Sequence, residues 1–249
     1  MVKMKLYNSF NISKKHKNSI ILIGNFDGLH LGHQKLFKLA KKYKKRYSSK
    51  IGVLTFEPMP KMFFNPQLKN FRISNLNQKI ENLSKLNVDF VIIKKFNHKF
   101  SKTKSISFIK ETLGKRINPK FIFVSNNFKF GNKREGDVKQ LVKYEKLCKY
   151  KIIKPQPLIV KKKIISSSLI RKYLQNGKLK DANKLLKRNW SIDGKVQKGK
   201  QLGKKIGFPT ANIDINDYVL AKPGVYGVKV RKMNELNYIT GIANLGYRP

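Results

Sequence analysis

Hydrophobic positions along the chain fall into two patterns, one over most of its length and another near its end. Short apolar runs stand at 20–23 (IILI), 51–56 (IGVLTF), 89–93 (DFVII), 121–124 (FIFV) and 151–153 (KII). Between them apolar residues recur at helical spacing: Leu36, Ala40, Tyr43; Leu76, Ile80, Leu83, Leu86; Ile106, Ile109, Leu113; and Val138 to Cys148. Short buried strands alternating with helices predict an α/β fold with a doubly wound, Rossmann-like parallel sheet. Two further helical patterns follow, one from Ile165 to Leu174 with Gly177 as its carboxyl cap, and one around Ala182, Leu185 and Leu186.

From Trp190 the helical periods stop. Gly and Pro become frequent, and strand-like pieces stand at 192–196, 225–230 and 238–243. The expected division is a first domain over 1–186 and a second over 187–249, the latter a small, incomplete β-barrel.

With 249 residues, 40% hydrophobic and 11% aromatic, the chain can bury a real core in each domain. The single cysteine, Cys148, excludes an internal disulfide, and its apolar neighbours suggest a structural thiol over a nucleophile. No apolar run is long enough for a membrane span, and the first residues do not make a signal peptide, so a cytoplasmic protein is expected. The formal net charge of +43 would ordinarily raise nucleic-acid binding. Its texture argues otherwise. Eight arginines stand against 48 lysines spread over nearly the whole chain, alongside abundant Asn and Ile, as drift toward A- and T-rich codons would produce. The basicity is therefore expected to be a solvated surface, with non-specific polyanion binding a by-product.

The candidate chemistry gathers first in GNFDGLHLGHQ, Gly24 to Gln34, between the run 20–23 and a helix. Gly24, Asn25, Phe26, Asp27 and Gly28 form a tight loop whose glycines let backbone approach a polyphosphate, and the helix start supplies unpaired N–H groups and partial positive charge. His30 and His33, three apart, can face one side. Ordinary turn glycines and capping histidines would explain either feature singly; the combination favours a phosphate site. After Val124, SNNFKFGNKREGD makes a polar ligand-edge loop in which Asn127 offers an acceptor for adenine or ribose, while Phe128 and Phe130 serve equally well as core anchors. Ser166, Ser167 and Ser168 precede an apolar run, the ordinary place for a helix N-cap. Three in a row with Arg171 a turn later bring hydroxyls and a guanidinium toward one phosphate-sized space. In the second domain, Gly203, Lys204, Lys205 and Gly207 suit a phosphate-contacting loop, followed by Pro209, Thr210, Ala211 and Asn212.

These motifs together resemble the prokaryotic FAD synthetase family, usually fused to a riboflavin kinase. Gly24 to Gln34 resembles its long HxGH signature, 55–60 its TFEPxP element, with Met59 given no chemistry, and 125–137 its GDDFRFGxxRxGD loop, with Asn126 and Asn127 in place of acidic residues. The run from Ile165 resembles ISSTxIR, and 209–212 the PTAN motif of riboflavin kinases. The resemblance implies FAD biosynthesis: AMP passes from ATP to FMN, giving FAD and pyrophosphate, beside a kinase module that makes FMN from riboflavin. His30 and His33 would stabilise the transferring phosphoryl group; Ser166, Ser167 and Arg171 would hold the β and γ phosphates, with Arg171 meeting the charge that builds on pyrophosphate. Thr210 and Asn212 would hold Mg2+ and nucleotide phosphates. The partners implied are ATP, FMN and riboflavin, with no specific nucleic acid and no membrane.

The resemblance also implies that the kinase module continues beyond Arg248 and Pro249 to a glutamate base. Asp193, Asp214, Asp217 and Glu235 do not match that position, so weak or absent kinase activity is expected. Two other functions fit the same residues: nucleotidyl transfer to another phosphorylated acceptor, and non-catalytic binding of flavin or polyanions.

Overall fold

The computed structural model describes residues 4–198, 210–215, 217–233 and 235–246. The chain divides into two compact units, one comprising Met1–Leu68 with Leu76–Ile165, the other Lys69–Asn75 with Ser166–Pro249.

Among the described residues the first unit runs through β1 (Lys5–Tyr7), β2 (Ile20–Ile23), α1 (Leu31–Tyr47), β3 (Ile51–Glu57), α2 (Pro60–Phe64), α3 (Leu76–Ser84), β4 (Phe90–Lys95), α4 (His98–Ser101), α5 (Ser105–Ser107), β5 (Phe121–Phe123), β6 (Lys129–Phe130), β7 (Gly136–Asp137), α6 (Val138–Lys143), α7 (Glu145–Cys148) and β8 (Lys151–Ile153). A β9 (Ile159–Val160) and β10 (Lys163–Ile164) hairpin ends it. Six strands form one wholly parallel sheet in the order β1-β4-β3-β2-β5-β8. Five of them are the expected runs. The sixth, β1, was not predicted: only three residues long, it adds at the edge beside β4, and its Leu6 is 44% exposed.

Helices cover both faces, which is why the central strands read as unbroken apolar runs. Along β2 the side chains alternate between two cores. Ile21 and Ile23 join Phe108, Ile109, Leu113, Val138 and Leu141 on one face. Ile20 and Leu22 join Phe37 and Ala40 of α1 and Leu83 of α3 on the other. The register of neighbouring strands is pinned by Asp89, whose carboxylate accepts from the Ile51 N–H at 2.7 Å and from Lys44 Nζ at 2.7 Å.

The helix expected over 138–148 is interrupted at Tyr144. Its second half is drawn toward β8, where the Glu145 carboxylate accepts from the Ile152 N–H and from Lys151 Nζ, each at 2.7 Å. Residues 108–117 form a widened, π-helical stretch in which Gly114 lies against Cys148. Burial raises the Cys148 thiol pKa, in keeping with the structural role expected for it.

The second unit contains α8 (Ser167–Gln175) and α9 (Leu179–Leu186), joined through Gly177, whose φ of +71° lets the chain reverse. The antiparallel pairs β11 (Val196–Gln197) with β12 (Asn212–Ile213), and β13 (Gly224–Val230) with β14 (Ile239–Leu245), are consistent with a small barrel-like domain. The strand expected over 192–196 is present only from Val196. Upstream, the Asp193 N–H donates to the Tyr218 hydroxyl and is lost to a ladder. Residues 69–75 are threaded through this unit: Arg72 bridges Tyr218 in parallel fashion, and the indole N–H of Trp190 donates to the Ile73 carbonyl.

Candidate active site

In the first unit, strand order reverses at β2. The chain moves outward through β3 and β4, then returns to place β5 on the other side of β2. A doubly wound sheet opens a crevice at such a point, at the carboxyl ends of its strands. Two of the loops singled out from the sequence, 24–30 and 125–137, follow β2 and β5 directly.

The 24–30 loop is held in an unusual conformation by burial. Phe26, Gly28 and Leu29 all have positive φ, at +49°, +78° and +43°. Phe26 and Leu29 are each 3% exposed, their side chains sunk into the core shared with Phe37 and Leu83. That burial offsets the strain of left-handed backbone at two non-glycine positions. Asp27 and Gly28 are buried, Gly24 is half-buried and Asn25 is exposed.

His30 is the N-cap of α1. Its Nδ1 accepts from the His33 N–H over a long 3.4 Å. The two imidazoles stack with centroids 3.7 Å apart and planes 21° from parallel, and Phe26 meets His33 edge-on at 5.2 Å. Gly32 makes this packing possible, since a Cβ there would stand 3.1 Å from the His30 ring and from the Ile165 carbonyl oxygen. His33 Nδ1 is sealed from solvent and has no hydrogen-bond partner among the described residues. Protonation would place an unmatched N–H there. Burial accordingly holds the His33 pKa well below 6.5, with the charges of His30 and Lys79 acting in the same direction. Two stacked imidazoles at the amino end of a 17-residue helix form a locally positive cradle.

Across the reversal point, Asn126 and Asn127 are exposed on their loop. Phe130 is buried against Phe108 at 5.5 Å, and Phe128 stacks on Phe130 at 5.5 Å, so both rings anchor the loop from below. Asp137 caps α6, accepting from the Gln140 N–H at 3.0 Å; that bond, with Lys129 nearby, holds its carboxyl below the usual range.

In the second unit, Ser166 caps α8, its Oγ accepting from the Leu169 N–H at 3.2 Å, and Ser167 opens the helix. Arg171, half-buried, donates from Nε to the Phe71 carbonyl at 2.7 Å, with its guanidinium 3.7 Å from the centre of the Phe71 ring. Thr210 is exposed, and Asn212 is half-buried on β12. Gly203, Lys205 and Gly207 lie outside the described residues, as do Pro209, Arg248 and Pro249.

A sequence model of the FAD synthetase family matches residues 12–169, and one of the riboflavin kinase family matches residues 186–249. A protein of Buchnera aphidicola from Schizaphis graminum, named bifunctional riboflavin kinase/FMN adenylyltransferase, is 38% identical over 240 residues, 96% of this chain and 77% of that protein. The Escherichia coli K12 protein of the same name is 34% identical, over 96% of this chain and 76% of its own. The chain belongs to the bifunctional riboflavin kinase/FMN adenylyltransferase family. A crystal structure described as a macrolide-efflux protein from Streptococcus pneumoniae shares the fold of this family member, with a TM-score of 0.79 at 27% identity over 99% of this chain and 79% of that one.

Two residues that act on candidate side chains, each within its own unit, carried no motif. Lys79 of α3 is 1% exposed and acts electrostatically on His33. It lies one turn before Leu83, whose side chain joins Phe26 and Leu29 in the core. A lysine on the buried stripe of an amphipathic helix is a signal the sequence did contain. Phe71 carried none.

Proposed function

We propose that the first-unit loop and its histidines carry FMN adenylyl transfer. An FMN phosphate oxygen attacks the α phosphorus of ATP, the bond from that phosphorus to the bridging oxygen breaks, and pyrophosphate leaves as FAD forms. The reaction needs positioning and charge neutralisation more than a covalent nucleophile. The observation that carries this reading is the stacked His30 and His33 pair at the amino end of α1, beside the point where strand order reverses. The imidazoles of His30 and His33 are assigned to the transferring phosphoryl group, with the backbone of Gly24 to Gly28, Phe26 and Asp27 among them, lining the triphosphate. Asn127 is assigned to the adenosine end. Ser166, Ser167 and Arg171 are assigned to the β and γ phosphates.

The riboflavin kinase step is assigned to the second module, with Gly203, Lys205, Gly207, Thr210 and Asn212 toward the nucleotide. Mg2+ is the expected counterion. Among the described residues no group of three or more His, Cys, Asp or Glu could hold a metal. The hydroxyl and amide oxygens of Thr210 and Asn212 nevertheless suit a hard cation that takes most of its ligands from phosphate and water. Bound there, the ion would neutralise phosphate charge. The functional boundary falls at 186/187, and the enzyme works in the cytoplasm on ATP, FMN and riboflavin. No helix among the described residues is long and apolar enough to cross a membrane.

Incubation with FMN and ATP, with FAD and pyrophosphate quantified together, tests the reading. One pyrophosphate per FAD supports it. Tight FMN binding without pyrophosphate release overturns it in favour of a binding protein.

A further inference from the structure

The Arg171 side chain is held from two directions by a single residue, Phe71. Its Nε donates to the Phe71 carbonyl at 2.7 Å, and the flat face of its guanidinium lies 3.7 Å from the centre of the Phe71 ring. An arginine side chain carries several freely rotating bonds, and fixing it costs rotamer entropy unless something pre-sets it. A hydrogen bond at Nε and a ring over the face together fix both the direction and the roll of the guanidinium plane. The end of a guanidinium away from Nε carries its two terminal nitrogens, the fork whose geometry matches phosphate oxygens.

Phe71 is itself in a fixed frame. The flanking Asn70 donates from Nδ2 to the carbonyls of Ile215, at 3.3 Å, and Tyr218, at 3.1 Å. The Arg72 N–H donates to the Asp217 carbonyl at 2.8 Å, and the Arg72 carbonyl accepts from Val219 at 2.7 Å. One residue further on, the Ile73 carbonyl accepts the Trp190 indole N–H at 2.9 Å. The segment on either side of Phe71 is thus tied to backbone belonging to the second unit.

We propose that Phe71 is a positioning residue for adenylyl transfer, its ring and carbonyl pre-setting the Arg171 guanidinium for the departing pyrophosphate. This rests on the assignment of Arg171 to the β and γ phosphates. The ring matters as an aromatic face, because a cation over a π surface gains attraction that an aliphatic side chain of similar bulk does not supply.

The test compares Phe71→Leu, Phe71→Tyr, Arg171→Ala and the Phe71→Leu/Arg171→Ala pair in the full chain, by initial rates of FAD formation over ATP and FMN concentration. Phe71→Leu is expected to lower kcat/KM for ATP about 5- to 10-fold with KM for FMN unchanged. Phe71→Tyr is expected to stay within about twofold of the parent protein, and Phe71→Leu to have no further effect once Arg171 is Ala. A full loss in Phe71→Leu that adds independently to Arg171→Ala, or parent-like activity in Phe71→Leu while Arg171→Ala is crippled, overturns the role of Phe71. Parent-like activity in Arg171→Ala overturns the assignment of Arg171 itself. Should Phe71→Leu not fold, Phe71→Met and Phe71→Trp give the same contrast between an aliphatic and an aromatic face.

Discussion

Two sheets in this chain bury their residues in opposite ways. Every residue of β2 is at most 4% exposed, and β3 is buried from Ile51 to Phe56. On β13 and β14, by contrast, Val225 is 72% exposed, Ile239 71% and Ile242 82%. A parallel sheet must have both faces covered, because the crossovers that connect its strands are the helices that cover it, whereas an antiparallel pair needs no such cover. The difference explains why the histidine cradle sits where it does. A buried central strand can force the next few residues into a strained, buried loop; a solvated hairpin has no packing with which to do so.

The contrast can be broken most sharply at the loop that the buried sheet supports. His33→Ala is expected to lower the rate of FAD formation about 10²- to 10³-fold, the usual consequence of removing one preorganised group from a charged transition state, while circular dichroism still shows a folded chain. Near-parent turnover would remove His33 from the chemistry.

Inside the sheet itself, Leu22→Ala is expected to destabilise the chain by about 2–5 kcal/mol in urea unfolding, since Leu22 is fully buried. Gly52→Ala is expected to cost about 1–3 kcal/mol by overpacking, because a Cβ there would run into the Phe90 ring and stand 2.7 Å from Ile21 Cδ1.

A pH effect follows from the cradle. Folding holds His33 neutral by burial, so the unfolded chain takes up a proton more readily; stability is complete above about pH 6.5 and falls as pH drops below it. His16, whose pKa is also lowered chiefly by burial, contributes with the same sign. Urea midpoints between about pH 5 and 7.5 should fall on the acid side, and His33→Gln should flatten part of that slope. A parent slope that rises toward acid would contradict the burial of a neutral ring. The smallest effect belongs to the solvated pair: Ile242→Ser is expected to change stability by no more than about 0.5 kcal/mol, and a loss comparable to Leu22→Ala would show that the hairpin is covered in solution.

Much of this was legible in the residues. Five of the six parallel strands, their order along the chain and the longer helices α1 and α3 follow from apolar period alone, because a strand covered on both faces has to be apolar throughout; the short α2 and α4 do not. The histidine pair and the serine run stood out as motifs, and the structure gives His30 and Ser166 their ordinary capping work as well as a place in a proposed site. A three-residue edge strand such as β1 has no periodicity to read. The break at Tyr144 was equally invisible, since Glu145 turns toward β8 through bonds to Lys151 and Ile152, partners that the pattern of helix 138–148 does not contain.

What the sequence by itself determined is the buried sheet, the glycine and histidine spacing after β2, and the family to which these belong, because each is written in residues within one short window. Tertiary structure alone decided that His33 Nδ1 is sealed, that Lys79 acts on it from another helix, and that Phe71 clamps an arginine 100 positions away. Those depend on side chains meeting across the fold, and only packing, which balances burial against strain and desolvation, selects which distant groups meet.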